Sequence, residues 1–573
     1  MKSPLFVRYR SESGSPYLYD SETGEIIRVT NDVYEISADF HLLGNDDLVA
    51  KYARLGQSNV ERVLEMLSLL RSEHLVQDHE PTRVSRPTSV VFPEAMSWAS
   101  FLATHRRILT LEVTQKCNLQ CTYCIYGDYY KARRRHGSTN MPWEVARRAV
   151  LAFLDCQRGE ESNISFYGGE PLLEFALIRR VIALAGNYAR ERGVAEPTFH
   201  LTTNGTLLTD DVIHYLVANN VCVAVSLDGE QASHDRYRVF SHPRNLKSGG
   251  SFTAVMRNVD RFIALYPDYG KRFFQVTLTA TNDIRQSEPF LKRYSESFPI
   301  LMVNFVRDVE CKGGNETLDC GYGRWFVPGL EGEGYPGGGS SCRSGKCLAK
   351  PPIPECPDFC SWSGAHREDL GVLLRSLAED FAVSPETAAK DHPLLFSMLQ
   401  ETIKSIHARH VTRTPSREVI CYRCFPGSVR LFCSVEGNYY PCEKVDDADS
   451  PLLGNVWEGF DGSRADKLSA FPGDFADCGN CVIKRLCTVC PSIIRGFQAT
   501  KGADSAILRR RCETLKEERI AALITYTSMM ERNPSAFDTL TDEGGLARSW
   551  VKDLRFPAPS KPLSAEELGT EEL

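Results

Sequence analysis

Between residues 105 and 307, short apolar runs alternate with stretches in which apolar residues recur every three or four positions. The runs at 108–113, 164–167, 198–203, 221–227, 273–280 and 301–306 predict strands. The stretches at 142–156, 175–190, 210–218, 252–265 and 288–297 predict helices, and Pro142 suits the first turn of the first of them. Six strand–helix repeats in series imply a parallel sheet curved into a partial (β/α)6 barrel, an α/β fold. In such folds the chemistry gathers at the carboxyl ends of the strands.

The flanking pattern differs. Tyr17, Leu18 and Tyr19 pair by alternation with Ile26, Ile27 and Val29 across Ser21, Glu22, Thr23 and Gly24, a hairpin signal with glycine at the turn. Helical patterns follow at 46–55 and 59–72, the second with Val60, Val63, Leu64, Met66, Leu67 and Leu70 on one face. Residues 1–80 therefore read as a small α+β module, joined by a proline-bearing linker at 81–104 (Pro81, Pro87, Pro93). Beyond the repeats, 308–366 is a glycine- and cysteine-rich insertion and 367–415 a helical bridge. A cysteine array spans 416–515, and a helix with a Glu-, Ser- and Pro-rich tail fills 516–573.

A length of 573 residues supports two to four domains. With 42% hydrophobic and 25% charged residues, net charge −7 and a pI near 6.1, the chain has no global field for nucleic acid or an anionic membrane. Neither a signal peptide nor an apolar stretch of about eighteen residues is present, so a cytoplasmic protein is expected. Twenty cysteines in a reducing compartment then argue for metal or redox chemistry rather than disulfides.

Three of them, Cys117, Cys121 and Cys124, lie within eight residues directly after the first strand. Such a loop can wrap one corner of a metal cluster and leave one metal open to a small molecule. Structural zinc is the rival, but it takes four closed ligands, commonly as paired CxxC units, and only the more distant His105 or His136 could complete it. Two motifs fall at later strand ends. Gly168, Gly169, Glu170 and Pro171 follow the second strand, where glycines let backbone approach a ligand and a carboxylate can accept from an ammonium group. Ser226, Leu227, Asp228 and Gly229 close the fourth. Turn chemistry alone accounts for Asn204–Gly205 and Asp228–Gly229.

The array contains Cys421, Cys424, Cys433 and Cys442, then Cys478, Cys481, Cys487, Cys490 and Cys512. Gly437 and Asn438 can turn a hairpin that returns Cys442 toward the start of the block. Thiolates in this number can hold two four-iron clusters, and paired CxxC units also suit zinc ribbons.

On these residues the sequence resembles the radical S-adenosylmethionine (SAM) enzymes that carry a C-terminal SPASM domain. The resemblance implies a SAM-binding 4Fe-4S cluster on Cys117, Cys121 and Cys124, with SAM contacted by Tyr123, by Gly168 to Pro171 and by Ser226. It implies two auxiliary 4Fe-4S clusters, three in all. One would take Cys424, Cys442 and Cys490, with Cys421 as the chosen fourth ligand, Cys433 the alternative and an open iron the third arrangement. The other would take Cys478, Cys481, Cys487 and Cys512. The two-residue gap between Cys487 and Cys490 departs from the commoner three. His234, Asp235 and Arg238 follow Ser226 as in that family and read as local structure or as support behind the site.

Residues 126–141, with Tyr126, Tyr129, Tyr130, His136 and Met141, look like maturases of ribosomally made peptides, particularly those forming cysteine thioethers. The winged-helix-like N-terminal module would then bind the precursor's leader, and a flavodoxin or ferredoxin would supply electrons. Glu443 stands where sulfatase-maturing relatives place a proton-accepting aspartate, so it is the candidate base. Formylglycine formation, carbon–carbon cross-linking and a non-catalytic zinc-stabilised binding protein are the alternatives. The family pattern does not require Cys311, Cys320, Cys342, Cys347, Cys356 and Cys360 in the insertion; a metal site on some of the last four and reduced surface thiols are both open there.

Overall fold

The computed structural model describes residues 5–76, 107–124, 126–127, 135–157, 161–242, 249–279, 282–305, 364–407, 409, 411, 430–443, 452–461, 478–488 and 506–534. Cys421, Cys424 and Cys490, the insertion cysteines, the linker and the tail lie outside them.

Three antiparallel strands open the chain: β1 (Phe6–Arg10), β2 (Pro16–Asp20) and β3 (Ile26–Arg28). The expected hairpin is β2–β3, with Gly24 at φ +83° in its turn. The first strand, absent from the expected elements, alternates buried Val7 and Tyr9 with the more open Arg8 and Arg10. Helices α1 (Asn31–Ile36), α2 (Asn45–Lys51) and α3 (Gln57–Ser72) follow, α1 capped by Thr30. Leu18 and Ile27 pack with Val60, Leu64 and Leu67 of α3 in a core of their own. Tyr17, Tyr19 and Ile26, on the other face, join the main core instead.

The main sheet has eight strands, ordered β11-β10-β8-β7-β6-β4-β12-β13. Its six expected members are β4 (Ile108–Thr114), β6 (Asn163–Gly168), β7 (Thr198–Thr203), β8 (Cys222–Ser226), β10 (Arg272–Leu278) and β11 (Ile300–Phe305), all parallel. Two strands from the cysteine array extend it: β12 (Arg430–Cys433) lies parallel to β4, and β13 (Tyr439–Tyr440) turns back antiparallel to β12. A short ribbon, β5 (Leu119–Cys121) with β9 (Arg238–Phe240), sits apart.

The connecting helices are α4 (Trp143–Asp155), α5 (Phe175–Arg192), α6 (Asp210–Ala218), α7 (Gln231–Tyr237), α8 (Ser251–Leu265) and α9 (Ile284–Lys292). Pro142 is the N-cap of α4 rather than its first residue. Helix α9 begins four residues before the expected 288 and carries Pro289 inside it, because the Asp283 side chain caps Arg285 N–H (3.0 Å) and its carbonyl accepts from Gln286 and Ser287. The C-terminal helices α10 (Gly364–Val383), α11 (Pro385–Asp391), α12 (Pro393–His407) and α13 (Ala506–Arg532) follow. Helix α12 packs on β11 and α9, so it covers one edge of the sheet. Among the described residues no helix is long and apolar enough to cross a membrane.

The two faces of the sheet differ in kind. Leu109, Ile164, Leu201, Val223, Val225 and Val276 are fully buried on the side covered by helices. In register on the other side stand Ser165 with His200, and Ser226 with Gln275, partly open. Parallel strands enclosed on both sides are apolar throughout. Polar residues on one face therefore mark it as the side that is not packed against an apolar layer.

Glu288 ties α9 to α12 by accepting from Leu394 N–H (3.1 Å) and Leu395 N–H (2.8 Å). Burial pushes its carboxyl up to about 7, against the opposing pull of those two donors. Between roughly pH 4.5 and 7 the folded protein then keeps a proton that the unfolded chain releases, so stability falls as pH rises through that window, by up to about 3 kcal/mol. Denaturant titrations across this range should show that slope, and Glu288→Gln should flatten it.

Candidate active site

The cysteine loop leaves the carboxyl end of β4 and is held from three sides. Gly169 N–H donates to Thr114 O and Glu170 N–H to Lys116 O, both at 2.8 Å. A Cβ on Gly168 would lie 2.2 Å from Thr114 O, and one on Gly169 would lie 2.0 Å from Lys116 O. These glycines are therefore required by close approach to the entry of the cysteine loop itself.

Glu170 is completely buried, and its carboxylate joins two strand ends. Oε1 accepts from Leu172 N–H (3.0 Å) and the Thr203 hydroxyl (2.7 Å), and Oε2 from Asn204 N–H (2.7 Å). Burial raises its pKa, with those donors pulling the other way. A carboxylate has about four acceptor positions, so one on Oε2 is left for a ligand's ammonium group.

Asn204, legible in the sequence only as a turn residue, has a larger part. Its amide donates to Asn118 Oδ1 (2.8 Å) and approaches Cys117 Sγ (3.9 Å), while Asn118 donates to the Thr206 hydroxyl (2.8 Å). The end of β7 thus fixes the first cysteine. The hint available in the sequence was its place at the third strand end, one strand beyond the Gly-Gly-Glu-Pro turn.

The third tie is a buried polar cluster. Arg238 donates through Nε and Nη2 to both oxygens of Asp228, each at 2.9 Å, and the Tyr123 hydroxyl donates to the same carboxylate. The arginine side chain is 8% exposed and the aspartate 1%. Burial most strongly disfavours the guanidinium charge, but Asp228, Tyr123 and Cys121 together outweigh it and hold the Arg238 pKa well above its ordinary value. Arg238 pairs with Cys121 across the β5–β9 ribbon, so this ion pair connects the cysteine loop to the Ser226–Gly229 turn. Ser226 itself ends β8 on the polar face.

All three thiols of the loop are raised in pKa. Burial is the largest cause, pushing Cys117 up to about 12, and the neighbouring cysteines add to it at Cys117 and Cys121. Thiols that repel one another's ionisation share a site, and bound metal removes the penalty by deprotonating them outright. Three cysteines spaced along one loop can each serve a separate iron of a cluster. His136 comes to Cys124 after all, with Nε2 3.3 Å from Sγ and Nδ1 3.3 Å from Gln115 O.

Of the array, Cys433 is buried in the sheet and Cys442 follows β13. Beside it Arg430 donates to both oxygens of Glu443 at 2.9 Å. Tyr167, on the polar face near Cys124 and Glu443, is raised in pKa chiefly by burial and then by those two groups. Cys478, Cys481 and Cys487 lie in the 478–488 loop, and α13 bears Cys512. Arg519, seven residues and two turns beyond Cys512, donates to the Thr488 hydroxyl (2.8 Å), which brings that face of α13 to the loop.

A model of the radical SAM superfamily matches residues 111–282, the stretch that contains the loop and all three ties. Residues 111–282 form a radical SAM domain. The serine-type anaerobic sulfatase-maturating enzyme of Bacteroides thetaiotaomicron is 27% identical over 222 residues, covering 38% of this chain and 47% of that one. The cysteine-type enzyme of Clostridium novyi is 30% identical over 154 residues, 26% of this chain and 39% of that one. The chain thus spans less than half the length of either relative. The structure of anSMEcpe with bound AdoMet superposes with a TM-score of 0.51 at 18% identity, covering 79% of this chain and 99% of that one, and so shares the fold.

Proposed function

We propose that this protein is a peptide maturase in which radical chemistry at the Cys117–Cys124 loop acts on a ribosomally made precursor, forming a cysteine thioether. The observation that carries this reading is the addition of β12–β13 to the barrel sheet beside β4. Cys442 packs beside Tyr167, and Tyr167 lies close enough to Glu443 and to Cys124 for both to raise its pKa, which supports a shared site. When bound, SAM and its cluster supply a hydrogen-abstracting radical. The chain's own part is positioning: Glu170, Thr203 and Asn204 hold the strand ends, and Asp228 and Arg238 hold the loop. Auxiliary clusters on the cysteine array would bind the substrate thiol or accept the second electron. A leader bound by residues 1–80 and a flavodoxin or ferredoxin as reductant complete the proposal.

The sulfatase-maturing relatives favour a second reading, oxidation of a cysteine or serine to formylglycine with Glu443 as base. Both oxygens of Glu443 are engaged by Arg430, and a base must first be released from such a pair. Thioether formation makes no such demand, since a thiol bound to metal is already deprotonated.

The deciding measurement is the mass change of a candidate precursor, taken from a short reading frame beside the gene, after anaerobic incubation with reconstituted protein, SAM and reductant. Loss of two hydrogens together with one alkylatable thiol is expected. An aldehyde that reacts with hydrazide would establish formylglycine instead, and loss of two hydrogens with every thiol retained would point to a carbon–carbon bond.

A further inference from the structure

The turn between β2 and β3 is the least exposed turn of the N-terminal module. Asp20, Ser21, Glu22 and Thr23 are each at most 5% exposed. Asp20 Oδ1 accepts from Glu22 N–H and Thr23 N–H at 2.8 Å, and Oδ2 accepts from Val76 N–H at 2.6 Å, so the turn is locked to the segment after α3. Its outer side meets the 478–488 loop. Lys484 Nζ donates to Glu22 Oε1 at 2.7 Å, the Ser21 hydroxyl to Val482 O at 2.5 Å, and Arg485 Nε to Glu22 O at 2.9 Å. Lys484 is 1% exposed. Tyr19, the residue before this turn, is buried near enough to Cys481 for that thiol to raise its pKa further, after burial.

A lysine buried midway between Cys481 and Cys487 is costly without an opposing charge, and here that charge comes from another module some 460 residues away in sequence. A loop that must hold metal needs its ligands preset, and short cysteine-bearing loops have little apolar core to set them. We propose that Glu22 and Lys484 are a positioning pair for an auxiliary iron–sulfur site on Cys478, Cys481 and Cys487, so that the N-terminal module is a structural wall of that site. This rests on the cluster reading of the array under Proposed function. Removing Glu22 leaves a buried ammonium group that must leave the interior, and the loop between the cysteines moves with it.

The test uses the full chain, reconstituted anaerobically and desalted, with iron and sulfide measured per chain. Wild type should hold about twelve irons for three four-iron clusters, and Glu22→Ala about eight, a loss of one third. The variant should keep SAM cleavage in the absence of peptide and the resonance signal that SAM shifts, since the radical site is intact. Glu22→Ala combined with Lys484→Met removes both charges and should restore the iron. A full iron complement in Glu22→Ala, released to a chelator at the wild-type rate, would overturn the proposal. So would a loss that the double variant fails to repair, which would assign the effect to the turn's fold rather than to the pair. Wild type holding only about four irons would instead refute the auxiliary-cluster reading itself, and the pair's role with it.

Discussion

Replacing Cys117, Cys121 and Cys124 together by alanine is expected to remove about four irons per chain, one third of a three-cluster complement, and to abolish SAM cleavage. The loop is held by contacts that do not involve these sulfurs: Gly169 and Glu170 on Thr114 and Lys116, Asn118 on Thr206, and the β5–β9 ribbon. Three small substitutions should therefore leave the fold standing, and the thermal midpoint of the apo variant should stay near that of apo wild type. Precursor binding should also persist, because the N-terminal module has its own core around Leu18, Ile27 and α3. The measurements are iron analysis, chromatographic detection of 5'-deoxyadenosine and calorimetric binding of the peptide. Retention of all iron with undiminished SAM cleavage would mean that the radical site lies elsewhere.

The barrel was legible because its strands and helices obey different periods over whole elements, and helices such as α6 also carry caps such as Thr209. The cysteine loop was legible because metal ligation constrains spacing along the chain. What escaped was built from distant segments. Strand β12 is four residues long, and its place beside β4 follows from pairing about 300 residues away, which no local pattern encodes. Asn204 looked like a turn residue, and Arg238 could be read only as local structure or general support, because their partners, Asn118 and Asp228, are defined by the fold. The glycines of the Gly-Gly-Glu-Pro turn were read as room for a ligand, and the first thing they make room for is the loop's own backbone. Nothing in the sequence paired Lys484 with Glu22, which read only as a hairpin-turn residue, since a charge in sequence says nothing of its burial.

Arg238→Met should be the most destabilising single change at the site. Asp228 is 1% exposed and has the guanidinium on both oxygens, while the same residue's backbone accepts from Asn282 (2.7 Å) and donates to His234 Nδ1 (3.4 Å). It cannot turn away to solvent. Deleting one member of a buried pair typically costs about 3–5 kcal/mol, because the other charge is left without compensation. Tyr123 remains as a donor to the carboxylate, but one neutral hydroxyl replaces little of a bidentate charged partner. Pairing Arg238→Met with Asp228→Asn should recover most of the loss in denaturant titrations, since a neutral amide needs only its hydrogen bonds met. The two variants should separate stability from function. If the pair serves only the fold, the double variant will also recover SAM cleavage. If it sets Cys121 against Ser226, as the ribbon and turn imply, stability will return while the SAM-dependent signal and cleavage stay weak. The second outcome is expected, because the amide and thioether side chains of the double variant would fill the space without the two directed bonds that fix the loop.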